Sequence, residues 1–252
     1  FGTFPKITIG ISGEWGTGKS TLMKLIQENL KENDEKIVIP STWFNAWRYE
    51  REEISSTYPL ILTIINTLQN QLKLQNSTLS GTAKSLWEKA KKYSTMFSGS
   101  INVGMEGIVS GTLDIDPKNI SDTPIEEFRK KNLPTIQEGI EIIEDLQKQL
   151  KSPLSNNLKL VVFIDDLDRC SPPKALEVFE SMKVLLDLEG IVYVLGISHE
   201  TIDKLISAAY KDAEIRGKDY IRKIIQIPIQ TPIWDAKDIQ EIIQKNIVPK
   251  LE

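Results

Sequence analysis

Apolar residues along the chain follow two different periods. Short, nearly continuous apolar runs predict buried strands, and apolar residues that recur every three or four positions predict amphipathic helices. The predicted strands are Ile7–Ile11, Ile37–Asn45, Leu160–Ile164, Ile191–Ile197 and Ile224–Ile229. The predicted helices cover residues 19–31, 54–74, 83–97, 135–151, 171–187, 199–210 and 235–248. Strands that alternate with helices predict an α/β fold, a three-layer sandwich around a mainly parallel sheet.

The interval between the first strand and the Leu160–Ile164 strand is far longer than a βαβ crossover needs. Much of residues 54–150 is therefore expected to form a helical insertion or subdomain within one domain that spans residues 1–252. Inside this interval, the glycine-rich stretch 98–117 predicts a hairpin or a loop. Thr123 and Pro124 predict the start of a further helix.

A glycine-rich loop joins the first strand to the first helix. It has the pattern Gly-x4-Gly-Lys-Ser between a β-branched strand and a helical stretch, which is the context of a phosphate-binding P-loop. Glycines let backbone N–H groups curl around phosphate oxygens, and the helix N-terminus adds partial positive charge. Lys19 is the candidate for contacting the β- and γ-phosphates, and the Ser20 hydroxyl is a candidate Mg²⁺ ligand. The candidate nucleotide-binding residues are Gly13, Glu14, Trp15, Gly16, Thr17, Gly18, Lys19, Ser20 and Thr21.

Two carboxylates follow the apolar strand Leu160–Ile164, in the pattern of a Walker B motif. Asp165, at the carboxyl end of the strand, is the candidate Mg²⁺ ligand, because hard cations prefer oxygen donors. Asp166 is the candidate base or positioner of the attacking water.

Polar residues near these motifs allow two interpretations each. Asp168 could take part in catalysis or pair with Arg169 in a turn. Ser198, after the fourth strand, could sense a γ-phosphate or only cap the next helix. Arg222 and Lys223 could be ordinary surface charges, or catalytic cations that reach the nucleotide of a neighbouring subunit.

Composition excludes several classes of site. The net charge of −4 gives no clear nucleic-acid signal, and no apolar stretch has the length of a membrane span. Cys170 is the only cysteine, so no intramolecular disulfide can form, which fits a cytoplasmic protein. His199 is the only histidine, which excludes zinc sites built from several histidines.

Three segments together resemble the KAP family of P-loop NTPases, which is related to the STAND class of signalling ATPases. They are the P-loop with a tryptophan inside it, the aromatic segment Trp43–Glu50, and the segment Val162–Cys170; Tyr220–Pro228 is a weaker match. The resemblance implies a sheet with an extra strand between the P-loop strand and the Walker B strand. It also implies ATP rather than GTP. Many family members carry transmembrane helices between the two motifs, so this chain resembles the soluble branch.

The resemblance and the motifs together favour an ATPase that needs Mg²⁺ and acts as a switch. ATP binding and hydrolysis would drive self-association or a change in another protein domain, with bacterial phage defence as the setting that the family implies. Two alternatives stand beside it. One is a nucleotide-dependent scaffold with little hydrolysis, and the other is a small-molecule kinase, for which no acceptor-site motif is evident.

Overall fold

Five parallel strands form the sheet at the centre of the fold. The computed structural model describes residues 7–31, 39–51, 55–75, 81–98, 135–150, 158–209, 217–232 and 240. The strands are β1 (Ile7–Ser12), β2 (Ser41–Asn45), β3 (Leu160–Asp165), β4 (Ile191–Ile197) and β5 (Ile227–Gln230). Their order is β2-β3-β4-β1-β5, and every neighbouring pair is parallel. The α/β fold with a parallel sheet is confirmed, and β4 is the strand expected between β1 and β3.

Helices connect the strands, and two 3₁₀ turns follow β2 and β3. The helices are α1 (Lys19–Lys31), α2 (Thr57–Gln75), α3 (Thr82–Ser98), α4 (Ile136–Gln149), α5 (Pro172–Leu185), α6 (His199–Ala209) and α7 (Gly217–Ile224). The 3₁₀ turns are Ala46–Tyr49 and Leu167–Arg169. The loop expected at residues 98–117, the helix expected from Thr123 and most of the helix expected at 235–248 lie outside the described residues. Within the described ranges, no helix combines the length and the apolar character needed to cross a bilayer.

The two central strands β3 and β4 are buried along their whole length, as expected for strands covered on both faces. On one face, Phe163 and Val194 pack with Met23 of α1 in a continuous apolar cluster. On the opposite face, the Tyr193 hydroxyl donates a hydrogen bond of 3.0 Å to the carbonyl oxygen of Leu185 at the end of α5. Alternate residues of the same strand therefore serve the two outer layers of the sandwich.

The start of the last strand differs from the sequence prediction. Residues Ile224 and Ile225 were expected in the last strand, but Ile224 ends helix α7 and β5 begins only at Ile227. The buried positions of α7 are Gly217, Tyr220, Ile221 and Ile224, which repeat every three or four residues. This amphipathic period stabilises a helix against the core, and tertiary burial decides between helix and strand for so short an apolar run.

The chain divides into two compact units, residues Phe1–Thr57 with Lys151–Glu252, and residues Tyr58–Leu150. The first unit contains the sheet. In the second, α4 begins with a capping box in which Thr135 and Glu138 bond each other's backbone N–H. Gly139 of α4 lies so close to Tyr93 that an added Cβ would be 2.6 Å from the tyrosine hydroxyl oxygen.

Candidate functional site

The carboxyl ends of the strands meet at one edge of the sheet. The loops that carry the candidate binding and catalytic residues begin at this edge. Ser12 of β1 is in register with Ile197 of β4 and with Gln230 of β5. Asn45 of β2 is in register with Asp165 of β3. This arrangement of parallel strands brings the P-loop, the Walker B carboxylates and the end of β2 to the same side of the molecule.

The P-loop takes the tight form that its glycines allow. Gly16 and Gly18 have φ angles of 83° and 88°, in the left-handed region that side chains with a Cβ rarely adopt. A Cβ built on either glycine has no other atom within 4 Å, so both face open space. The Thr17 hydroxyl donates a hydrogen bond of 2.8 Å to the Glu14 carbonyl oxygen, which closes the loop on itself.

Gly13 is needed for a different reason, the close approach of β5. A Cβ at Gly13 would overlap the hydroxyl oxygens of Thr231 and Thr17. Thr231 follows β5 and is buried, and its hydroxyl donates to the Ser12 carbonyl oxygen at 3.1 Å and bonds the Thr17 hydroxyl at 3.0 Å. Thr231 therefore ties the end of the last strand to the P-loop, a contact that no motif in the sequence indicated.

Lys19 is buried at the start of α1, and its ammonium group lies against the loop. It donates to the carbonyl oxygens of Gly13 at 3.1 Å and Glu14 at 3.0 Å. It also forms an ion pair of 3.5 Å with Asp168, and the two side chains are only 8% and 9% exposed. Of the two interpretations of Asp168, the structure therefore shows a pairing, but with Lys19 rather than with Arg169.

Asp165 and Ser20 have the chemistry of a magnesium site. Burial raises the pKa of the Asp165 carboxyl group, while hydrogen bonds from the Ser20 side chain and the Asp166 backbone lower it, and the charges of Asp166 and Asp168 raise it. A divalent cation would offset the repulsion among these carboxylates, and a hydroxyl and a carboxylate are donors that Mg²⁺ prefers. Within the described residues, no cluster of three or more His, Cys, Asp or Glu side chains has metal-binding geometry.

Asp166 is held by donors from two neighbouring turns. Its φ angle of 60° is the only positive one among the described residues other than glycine. Its Oδ2 accepts a hydrogen bond of 2.6 Å from Asn45 Nδ2, and its Oδ1 lies 2.7 Å from Arg169 Nε. Both carboxylate oxygens are thus fixed in place, and the backbone strain at Asp166 is consistent with a functional position.

The chain after Asp166 is anchored by further polar contacts. The Cys170 thiol donates to the Asp166 carbonyl oxygen at 3.5 Å. Burial, with the negative charge of Glu50 and a hydrogen bond to it, raises the pKa of Cys170 to about 12, which keeps the thiol protonated as a donor. Glu50 also accepts the backbone N–H of Ser171 with both carboxylate oxygens, at 3.1 Å and 3.2 Å. Glu50 therefore braces the turn after β3 from the aromatic segment that follows β2.

A pocket of about 280 Å³ lies between the P-loop and the turn after β3. It is lined by Trp15, Gly16, Gly18, Lys19, Ser20, Thr21, Asp165, Asp166, Asp168 and Arg169. The other candidate nucleotide-binding residues, Gly13, Glu14 and Thr17, shape the loop behind this lining. Trp15 is 81% exposed at the loop tip.

Other candidates lie away from the pocket lining. The Ser198 hydroxyl accepts hydrogen bonds from the Thr201 backbone N–H at 3.4 Å and the Thr201 hydroxyl at 3.0 Å, as a helix cap does. Arg222 and Lys223 are exposed on the last turn of α7. The chain then enters β5, and the backbone N–H of Gln226 bonds the carbonyl oxygen of Thr8 near the start of β1. The two cations are therefore near the sheet edge opposite the P-loop.

Similar proteins were found among characterised sequences. The chain is 26% identical over 256 residues to "Phage T7 exclusion protein" of Escherichia coli strain K12, an alignment that covers 92% of this chain and 31% of that protein. It is 28% identical over 94 residues to "Kinase D-interacting substrate of 220 kDa" of Rattus norvegicus, covering 36% of this chain and 5% of that protein. The chain thus spans about a third or less of the length of these relatives.

Solved structures give more distant similarities. The ORC1 protein of Aeropyrum pernix in complex with DNA aligns over 94% of this chain and 42% of its own, with a TM-score of 0.45 and 12% identity. CbiO1 of Clostridium perfringens, part of the ABC transporter complex CbiONQ, aligns over 98% of this chain and 86% of its own, with a TM-score of 0.38 and 11% identity.

The family comparison covers nearly the whole sequence. The model of the KAP family P-loop domain matches residues 3–252. The resemblance that the P-loop, the aromatic segment and the Walker B segment indicated is confirmed, and the chain belongs to the KAP family of P-loop domains.

Proposed function

We propose that this domain binds ATP with Mg²⁺ in the pocket beside the P-loop, hydrolyses the nucleotide, and acts as a switch through that cycle. The observation that carries the proposal is the convergence of Lys19, Asp165 and Asp166 on one pocket, although they come from distant parts of the sequence. Membership of a P-loop family supports nucleotide binding in general.

Each residue has a distinct task in this proposal. Lys19 neutralises the β- and γ-phosphates, and the backbone N–H groups of the P-loop surround them. Ser20 and Asp165 would hold Mg²⁺, which supplies charge neutralisation at the terminal phosphates. Asp166, fixed by Asn45 and Arg169, orients the attacking water and accepts its proton.

Phosphate release by the purified chain tests this function. We expect release from ATP with Mg²⁺ and none when the metal is chelated. Asp165→Ala should reduce the turnover by roughly 100-fold and raise the Mg²⁺ concentration needed for half-maximal activity, because one oxygen ligand is lost. Asp145→Ala, in the other unit, is a control that removes a carboxylate outside the pocket lining. Metal-independent release, or no release, would contradict an Mg²⁺-dependent ATPase.

The two alternatives give other results in the same assay. A scaffold would retain ATP tightly and release phosphate too slowly for a functional cycle. A small-molecule kinase would transfer the labelled γ-phosphate to an acceptor rather than to water.

In this proposal, Arg222 and Lys223 make hydrolysis depend on self-association of the chain. They lie near the sheet edge opposite the P-loop, away from the pocket of their own subunit, so a nucleotide within their reach would be bound to another copy of the chain. A cation supplied by a neighbouring subunit can contribute roughly 10³-fold or more in rate. We therefore expect the activity per subunit to rise with protein concentration, and Arg222→Ala or Lys223→Ala to flatten that rise while ATP affinity stays unchanged.

Phosphate release measured over a dilution series checks this expectation. Lys204→Ala is the control, because Lys204 is an exposed cation on α6 that pairs with Glu200 at 2.6 Å. Equal activity per subunit at every dilution, in the parent and both variants, would leave the domain a self-sufficient ATPase.

We propose that the switch acts in phage exclusion. The support for this setting is the name of the Escherichia coli relative and the 26% identity to it. Because the chain covers 31% of that protein, the output of the switch would depend on more than this domain. Plating phage T7 on cells that express the chain or its Lys19→Ala variant tests the setting, and equal plating on both would contradict it.

A further inference from the structure

Arg169 lines the pocket, and it lies in the Val162–Cys170 segment without having been assigned a binding or catalytic role. It lies at the end of the 3₁₀ turn that follows Asp166, and its side chain is 43% exposed. Among the described residues that line the pocket, Lys19 and Arg169 are the cations. Lys19 bonds carbonyl oxygens of the P-loop, so Arg169 is the cation of the opposite wall.

Two contacts fix the orientation of the Arg169 guanidinium group. Its Nε lies 2.7 Å from Asp166 Oδ1, and its central carbon lies 5.6 Å from the centre of the Trp47 ring. Trp47, in the 3₁₀ turn after β2, is 50% exposed. A half-exposed tryptophan gives a guanidinium plane a flat surface on which to stack, which lowers the entropy lost when the group binds a ligand.

These contacts use only part of the binding capacity of the side chain. A guanidinium group has five N–H donors, and the ion pair with Asp166 is made through Nε. The structure gives the terminal nitrogens no partner among the described residues. Their planar, forked geometry matches two oxygens of one phosphate.

The pocket lining combines carboxylates with cations. Asp165, Asp166 and Asp168 supply three carboxylates, while Lys19 and Arg169 supply the cations that face them. In the proposed function, Lys19, the P-loop and Mg²⁺ offset part of the negative charge of a bound polyphosphate. Arg169 is the lining cation on the turn after β3, and it can offset more of that charge.

We propose that Arg169 binds the terminal phosphate of a nucleoside triphosphate within its own subunit. Trp47 and Asp166 are positioning residues for its guanidinium group. The proposal rests on the nucleotide-binding function proposed above. It gives the pocket a means of distinguishing triphosphate from diphosphate, because only the triphosphate presents the group that Arg169 contacts. Recognition of the terminal phosphate is also coupled to Asp166, because the guanidinium group that binds the phosphate forms the ion pair with Asp166.

Paired binding measurements test the proposal. Isothermal titration with Mg²⁺ compares a non-hydrolysable ATP analogue with ADP, for the parent chain, Arg169→Ala and Arg169→Lys. For Arg169→Ala we expect at least a tenfold loss of affinity for the triphosphate and less than a twofold loss for ADP. Arg169→Lys should recover part of the loss, because it keeps the charge but not the fork. Single-turnover hydrolysis by Arg169→Ala should fall by about 100-fold.

Trp47→Ala separates positioning from direct contact. We expect about a threefold loss of affinity for the triphosphate and no loss of affinity for ADP, because the guanidinium group remains but loses its stacking surface. Lys204→Ala is the matched control: it removes the cation of another ion pair, and it should change neither affinity. Melting temperatures verify that each variant folds. If Arg169→Ala does not fold, Arg169→Lys serves as the test.

Two results would overturn the role of Arg169. Equal losses of affinity for triphosphate and ADP in Arg169→Ala would indicate a structural role. Unchanged affinity for both nucleotides would indicate that the phosphate does not contact Arg169. A parent chain that binds neither nucleotide would instead overturn the proposed function itself, and this proposal with it. Variants of Arg222 and Lys223 should keep full triphosphate affinity, which separates the contact within the subunit from one between subunits.

Discussion

Replacing Lys19 with alanine should lower the affinity for ATP by about 100-fold. The ammonium group lies at the P-loop, where two charge-assisted hydrogen bonds to phosphate oxygens would contribute about 3 kcal/mol in total. ADP affinity should also fall, because Lys19 contacts the β-phosphate as well. Isothermal titration of the parent and the variant with both nucleotides gives the result directly.

A second variant separates lost binding from lost stability. Lys19→Ala leaves Asp168 without its ion-pair partner, and breaking a buried pair costs about 3–5 kcal/mol of folding free energy. The double variant Lys19→Ala/Asp168→Ala removes the unpaired charge and should recover most of the melting temperature without recovering ATP affinity. A folded Lys19→Ala protein that binds and hydrolyses ATP normally would refute the P-loop assignment.

Asp166→Asn should reduce the turnover by about 10²- to 10⁴-fold while the affinity for ATP changes by less than about threefold. The carboxylate is the proton acceptor in the proposed reaction, and the amide cannot take that role. The substituted amide also has only one acceptor oxygen for two donors, Asn45 Nδ2 and Arg169 Nε, so its orientation becomes less well defined. Steady-state kinetics together with titration of a non-hydrolysable ATP analogue separate the two effects.

Asp145→Asn is a closely matched control for this variant. Asp145 pairs with Lys148 three residues later, just as Asp166 pairs with Arg169, but it belongs to the other unit and lies outside the pocket lining. Its substitution should leave both turnover and affinity unchanged. If Asp166→Asn loses binding and turnover to the same degree, Asp166 acts as a ligand of the metal or phosphate rather than as the base.

The local motifs were readable from the sequence because each is a short stretch whose conformation depends on its own residues. Glycines at 16 and 18 permit positive φ angles, and an apolar run that ends in Asp165 and Asp166 predicts a buried strand with carboxylates at its end. The parallel sheet followed from the alternation of strands and helices. The boundary between α7 and β5 was less predictable, because a short apolar run serves both types of element and burial decides between them.

The contacts of the site were less accessible to sequence analysis. Asn45 lies in the aromatic segment, at the end of β2, and its partner Asp166 is 121 residues away in the chain. Thr231 lies 214 residues from Thr17, with which it bonds. No local pattern encodes such a distance, so neither pairing could be derived without the order and register of the strands.

Local patterns in the sequence were enough to derive the parallel α/β fold, the family, and the types of side chain available for phosphate and metal chemistry. These properties depend on local periodicity and on motifs whose residues are neighbours in the chain. Three contacts became evident only in the folded chain: the pairing of Lys19 with Asp168, the position of Asp166 between Asn45 and Arg169, and the place of the Arg169 guanidinium group over Trp47. The physical reason is that the strand order β2-β3-β4-β1-β5 and its register bring the carboxyl ends of distant strands to one edge of the sheet.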